Sequence, residues 1–340
     1  MILIDNATET LKAELTMIKT APNYRQLNDT YSTFELELEY QNKSGKENNQ
    51  KTLDTLIAES MIIHKIIQQS NFVITTSMKK TVLSFYKNIA NVNEQATFLE
   101  ARQPISLEIQ YLTETLPNKY AVTDKADGER YFLIIMNSHV YFISTNLNVK
   151  DSGIELKTSD YDGTILDGEY IFIPKLNRHV YLIFDVLFIG LTDIRNEPKF
   201  MNRIAKAEDL CQKIFVFDKQ TGFKKNQYKS TGNFNLDDYK QFHKKEYTRS
   251  IGVLNADIKY EVKYPLIRTK YFIDVVGAQP WEIFSYAEIL WKDYTENSEV
   301  GCPYILDGLI FQPLDQPYIT NQRESKLFEY KWKPPQKNSI

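Results

Sequence analysis

Along this 340-residue chain the pairs Asp127-Gly128, Asp167-Gly168 and Asp307-Gly308 each lead into an apolar, strand-prone run. Asp-Gly between such runs is a strong turn signal, so short paired strands should dominate the fold. The first pair is the most informative. Residues 119–122 read as a strand and residues 131–136 are continuously apolar, so the turn between them predicts a hairpin that holds Lys125 and Arg130 close together. A lysine amine is nucleophilic only when neutral, a form that cationic neighbours and desolvation favour. Bringing its pKa from about 10.4 to near 8 costs roughly 3 kcal/mol. Alone, K-x-D-G-x-R reads first as an ordinary surface hairpin. The downstream motifs change that reading.

Further strand signals fall at 139–144, 164–173, 179–187, 256–262, 271–275 and 309–312, while 151–162 is polar and loop-like. Helical patterns cover 199–215 and 280–294, the second with Pro280 in its first turn, and a shorter one at 106–113 is ended by Pro117. Upstream, residues 8–20 suit a short helix, 30–40 alternate as a strand, 52–69 carry apolar residues at helical spacing, and 72–90 form a helix or a strand pair. With a linker at 91–95, the expected division is 1–96 and 97–340, and the class is α+β.

A net charge of −3 means that any polyanion must be met by a local basic patch. One candidate is Lys219, Lys224, Lys225 and Lys229 with Lys240, Lys244 and Lys245, interleaved with Phe223, Tyr228, Tyr239 and Phe242; its alternative is a solvated loop and helix face. Two cysteines, Cys211 and Cys302, exclude a disulfide framework and a four-cysteine zinc site, which fits a reducing compartment. There is no P-loop, no strand-borne G-x-G-x-x-G, and no apolar run long enough to span a membrane.

In residues 34–40 the alternation places Glu35, Glu37 and Glu39 on one face. That is either a solvated acidic face or a set of hard oxygen ligands for Mg²⁺ or Mn²⁺ on the inner wall of a barrel. Glu169 stands at the start of a strand. Asp185 interrupts the buried run 182–187, and so must face a ligand or a cation, a structural salt bridge being the plainer case. Asp307 leads the last Asp-Gly strand, and Lys331 and Lys333 share one face of an alternating segment, as a phosphate clamp would. A nucleophilic lysine, carboxylates for metal and ribose, and cations for a polyphosphate are the inventory of nucleotidyl transfer.

In chain order, K-A-D-G-E-R, L-D-G-E-Y, Y-L-I-F-D, I-L-D-G-L-I-F and E-Y-K-W-K-P resemble the motifs of the covalent nucleotidyltransferases, the polynucleotide ligases and messenger RNA capping guanylyltransferases. D-G-L-I-F and K-W-K-P are similar to the capping enzymes, and residues 270–318 resemble those of large DNA viruses; the likeness spans about 100–335. It implies a nucleotidyltransferase fold of antiparallel sheets flanked by helices, preceded by a smaller, incomplete α+β unit. It further implies that Lys125 attacks the α-phosphorus of GTP, forms a lysyl-N-GMP, and passes GMP to the 5′-diphosphate end of an RNA. Arg130 would contact the ribose or the RNA end and Glu169 the ribose. Phe184 would stack on guanine with Asp185 beside it, Asp307 would bind Mg²⁺ or Mn²⁺, and Lys331 and Lys333 would hold the α-phosphate. Residues 35–39 resemble the second glutamate-rich strand of tunnel-type RNA triphosphatases, although the first such strand and most of a barrel are missing from 1–30.

The family normally follows its fifth motif with an OB-fold domain. Seven residues follow Lys333, so the resemblance implies part of a larger or split enzyme, with an OB-fold or methyltransferase region or subunit as partner. A viral source would place it in host cytoplasm, a viral factory or the virion. An ATP-dependent polynucleotide ligase and an inactive nucleotide-binding scaffold are the alternatives.

Overall fold

The structure, a computed structural model, describes residues 2–5, 9–43, 45, 49–114, 119–229, 233–254, 259–279, 281–296, 302–320 and 327–335. Pro117, Pro280 and residues 256–258 of one expected strand lie outside these. The chain divides into two compact units, Met1–Val73 and Ile74–Ile340.

In the first unit, β1 (Ile2–Asp5), β2 (Glu9–Ile18) and β3 (Thr33–Asn42) form an antiparallel sheet in that order, followed by helix α1 (Asn49–Gln68). The helix expected at 8–20 is therefore a strand. Leu11, Ala13, Leu15 and Met17 recur every second residue, and β2 pairs with β3 along its whole length, from Glu9 opposite Asn42 to Ile18 opposite Thr33. Leu11 and Ala13 are buried on the shared face, while Leu15, Met17, Phe34 and Leu36 are exposed.

The second unit begins with α2 (Thr76–Ala90), β4 (Ile105–Ser106), α3 (Ile109–Glu114), β5 (Tyr120–Ala126), β6 (Glu129–Met136), β7 (His139–Ser144), β8 (Val149–Glu155), β9 (Ile165–Ile173), β10 (Arg178–Ile189) and β11 (Thr192–Asp193). It continues with α4 (Phe200–Ile214), α5 (Val216–Thr221), α6 (Leu236–Val253), β12 (Leu266–Thr269), β13 (Ile273–Asp274), α7 (Glu282–Glu296), β14 (Leu306–Pro313) and β15 (Tyr330–Trp332). The boundary expected at 96 falls earlier because Val82, Tyr86 and Ala90 of α2 are buried against Phe132, Ile134 and Ile143 of this unit. Residues 151–162, read as a loop, contribute the end of β8, and residues 259–262 form no strand.

Two sheets organise the unit. One has seven strands, β11-β10-β9-β6-β7-β8 with β12 beside β10; the other has five, β13-β5-β14-β15-β4. All pairings are antiparallel except β10 with β12 and β15 with β4. The strands flanking Asp127-Gly128 are not a hairpin. Both edges of β5 are taken by β13 and β14, and both edges of β6 by β7 and β9, so the turn carries the chain from one sheet to the other. One core joins Tyr120, Val122 and Ala126 of β5 to Ile283, Tyr286 and Leu290 of α7 and to Ile171, Val180 and Leu182 of the larger sheet. Helix α4 covers the larger sheet's other side, with Ala207 and Leu210 against Leu133 and Val186.

Candidate active site

Strand alternation decides what faces the space between the sheets. In β5, Tyr120, Val122 and Ala126 turn into the core, which leaves Thr123 and Lys125 on the other face. That face lines a cleft of about 200 Å³ that opens to solvent at its mouth. Ile310 and Gln312 of β14 share its wall with Lys125. Opposite stand Arg130 of β6, Glu169 of β9, Phe184 of β10, and Lys270 and Phe272 from just beyond β12.

Lys125 and Lys333 both bind one oxygen. Each Nζ lies 2.7 Å from Asp307 Oδ2. Burial raises the Asp307 carboxyl, but the hydrogen bonds and charges of the two lysines outweigh it and hold the group below its ordinary value. The geometry depends on Gly308, whose φ is +142°; a Cβ there would lie 1.9 Å from the Trp332 carbonyl oxygen. Only glycine lets β14 approach β15 this closely, and that approach places Lys331 opposite Ile310 and Lys333 just past the pairing.

On the facing wall, the Arg130 guanidinium grips Asp167 with two bonds, Nε to Oδ1 at 3.0 Å and Nη2 to Oδ2 at 2.6 Å. It also donates to the Arg102 carbonyl and stands 5.3 Å over the Phe184 ring. Tyr318 donates to Asp167 Oδ2 at 2.6 Å. Glu169 accepts from the Gly128 amide at 3.2 Å and from Lys270 Nζ at 3.0 Å, and Lys270 also donates to the Asp124 carbonyl at 2.8 Å. A side chain at Gly128 would stand 2.8 Å from Glu169 Cγ, so this glycine too is required by close packing.

Lys125, Arg130, Glu169 and Phe184 thus line one cleft, with Asp307 and Lys333 joined to it through Lys125. Asp185 does not line it. Its carboxylate is buried and gripped by Arg203, Nε to Oδ1 at 2.7 Å and Nη2 to Oδ2 at 3.0 Å, the salt-bridge alternative of the sequence reading. Glu35, Glu37 and Glu39 belong to the other unit and are all exposed; Glu37 lies opposite Glu14, which is ion-paired to Lys12. Among the described residues, no group of three or more His, Cys, Asp or Glu side chains is placed to hold a metal ion. Asp307 alone could offer a carboxylate to a cation resting on phosphate oxygens and water, which is how Mg²⁺ is commonly bound.

The sequence reading missed Lys270, Gln312 and Phe272 as lining residues, although Phe272 and Gln312 fall within its expected strands at 271–275 and 309–312. It also missed the use of Asp167, although its motif was in view. The interleaved aromatics of the basic stretch serve packing rather than an open face: Phe223 and Tyr239 are buried, and Tyr228 meets Tyr239 and Phe242 edge-on at 5.0 and 5.6 Å.

Two largely antiparallel sheets thus bring a lysine, two carboxylates and further cations together around one cleft. The family model for the mRNA capping enzyme catalytic domain matches residues 73–263. A probable mRNA-capping enzyme of Acanthamoeba polyphaga mimivirus is 34% identical over 97% of this chain and 27% of its own length, and an mRNA-capping enzyme of Caenorhabditis elegans is 26% identical over 77% and 36%. Among solved structures, a mycobacterial DNA ligase D complexed with ATP and MES covers 68% of this chain and 58% of its own at 12% identity and a TM-score of 0.37, too low to bear on the reaction. The chain belongs to the mRNA capping enzyme family, and it spans about a third or less of the length of these two curated relatives.

Proposed function

We propose that this chain carries the guanylyltransferase reaction of mRNA capping, with Lys125 as the residue that becomes covalently charged. The observation that carries this is the sharing of Asp307 by Lys125 and Lys333 at the edge of the cleft that Arg130, Glu169 and Phe184 line. The neutral Lys125 amine attacks the α-phosphorus of GTP. A P–N bond forms, the bond from that phosphorus to the oxygen bridging to the β-phosphate breaks, pyrophosphate leaves with the electron pair, and the amine's surplus proton passes to solvent. An oxygen of an RNA 5′-diphosphate then attacks the same phosphorus. The P–N bond breaks and the amine regains a proton.

Lys331 and Lys333 neutralise the α-phosphate, Arg130 and Glu169 meet the ribose or RNA end, and Phe184 offers its ring to the base. Asp185 acts behind that ring by anchoring its strand to Arg203. A divalent cation, Mg²⁺ or Mn²⁺, would supply charge neutralisation to the phosphates, and Asp307 would hold it. In the first unit, Glu35, Glu37 and Glu39 with the opposed Glu14 are proposed as the metal-binding remnant of an RNA triphosphatase. An OB-fold or methyltransferase region, on this polypeptide or another, is the proposed partner. Among the described residues no helix is long and apolar enough to cross a membrane, and the host cytoplasm, where a viral factory would assemble, is the proposed place of work.

The test is incubation with α-labelled GTP or ATP followed by peptide mapping. An acid-labile, alkali-stable guanylate on Lys125, absent in Lys125→Ala, is expected. Charging by ATP alone would point to the ligase instead, and GTP binding without an adduct would point to a scaffold.

A further inference from the structure

The strands that present Arg130 and Glu169 to the cleft carry a second feature on their reverse face. Arg130 lies opposite Glu169 in the β6–β9 pairing, and one rung away Glu129 lies opposite Tyr170. By alternation Tyr170 and Phe172 point away from the cleft. Phe172 is 46% exposed. Its cross-strand partner on β10 is His179, with ring centroids 5.0 Å apart, and His179 stacks almost parallel on Tyr170 at 4.5 Å and 13°. Lys150 Nζ stands 5.2 Å from the Tyr131 ring and 5.8 Å from the Tyr170 ring, and Lys175, in the turn joining β9 to β10, is exposed.

We propose that Phe172, His179 and Tyr170, with Lys150 and Lys175, form a stacking platform for single-stranded RNA whose 5′ end enters the cleft on the other face of the same strands. Phe172 is the exposed ring, His179 is half-buried beside it, and Tyr170, half-buried, backs His179; such rings on a sheet surface suit nucleobases, because every base offers a π-face, and flanking lysines suit the phosphates between them. Burial, with the charge of Lys150 added, pushes the His179 imidazole below its ordinary value, so the ring is an uncharged stacking surface at neutral pH. Glu129 is the acidic neighbour, and its carboxylate is engaged by the Tyr131 hydroxyl at 2.8 Å. The platform adjoins the cleft at the Gly128 turn.

The identity of the bound strand rests on the guanylyl-transfer reading, but binding is measured apart from it. Fluorescence anisotropy with a single-stranded oligouridylate should show the full chain carrying Phe172→Ala and His179→Ala binding roughly tenfold more weakly, the loss of about one stacked base. Phe172→Tyr with His179→Phe should keep the parent's affinity, and charging of Lys125 by GTP should be unchanged in both variants. Equal binding by the double-alanine variant, or an equal loss in the ring-preserving variant, overturns the platform. Failure of the parent chain to take up guanylate would instead sink the proposed reaction and leave the binding comparison readable.

Discussion

Asp218 lies in α5, 8% exposed, with its Oδ1 lacking a hydrogen-bond partner. Burial, opposed by Arg268 and reinforced by Glu208, pushes its carboxyl up to about 6. An acid whose folded value is raised binds more protons folded than unfolded, so its cost appears as pH rises from the unfolded value near 3.8 and is complete above about 6. Asp218→Asn should therefore stabilise the protein at pH 7 by on the order of 1–3 kcal/mol and do little near pH 4, as read from denaturant midpoints at the two pH values. Lys125 is the opposite kind of residue in the proposed reaction, a side chain that serves chemistry rather than packing. Its loss leaves Asp307 with Lys333 and removes only a partly exposed chain from β5, so Lys125→Ala should abolish the adduct and leave the unfolding midpoint nearly unchanged. That lysine stood out in the sequence because its K-x-D-G-x-R is followed by four further motifs in order. The grip of Arg203 on Asp185 was not, since nothing in a strand's sequence says which distant helix supplies its counter-charge.

At the scale of elements, the Asp-Gly pairs turned out to mark close approach rather than hairpins. The first lets the chain pass from one sheet to the other, and the last lets β14 and β15 touch. Gly308→Ala would set a Cβ against the Trp332 carbonyl at a φ that L-residues rarely adopt, and should cost about 3 kcal/mol or more. It should displace β15 and with it Lys333, so adduct formation should fall together with the thermal midpoint; a variant that kept both would show that the β14–β15 contact does not position the lysines. Most strands were legible from alternation, and α1 and α4 from helical spacing. β2 was misread because a ten-residue amphipathic run is short enough to suit either period, and its pairing with β3 decided the matter.

For the molecule as a whole, the division at Val73 assigns the cleft and the acidic strand to different units. Among the described residues, all those that line the cleft belong to the second unit. A chain of residues 74–340 should therefore charge with guanylate as well as the full chain does, within about twofold by the labelled-GTP assay, because local chemistry follows the residues in contact with the substrate. Loss of charging on removal of residues 1–73 would show that the first unit is needed to build the site.

From order and spacing alone came the residue types, the strand-rich class and the five motifs, because these depend on neighbours along the chain and on the period of their alternation. What only the tertiary structure decided was which strands share a sheet, that Lys125 and Lys333 meet on one oxygen of Asp307, and that Asp185 is spent on Arg203. Those facts depend on pairings between residues some 20 to 200 positions apart, and such pairings are chosen by burial and edge availability that no local stretch contains.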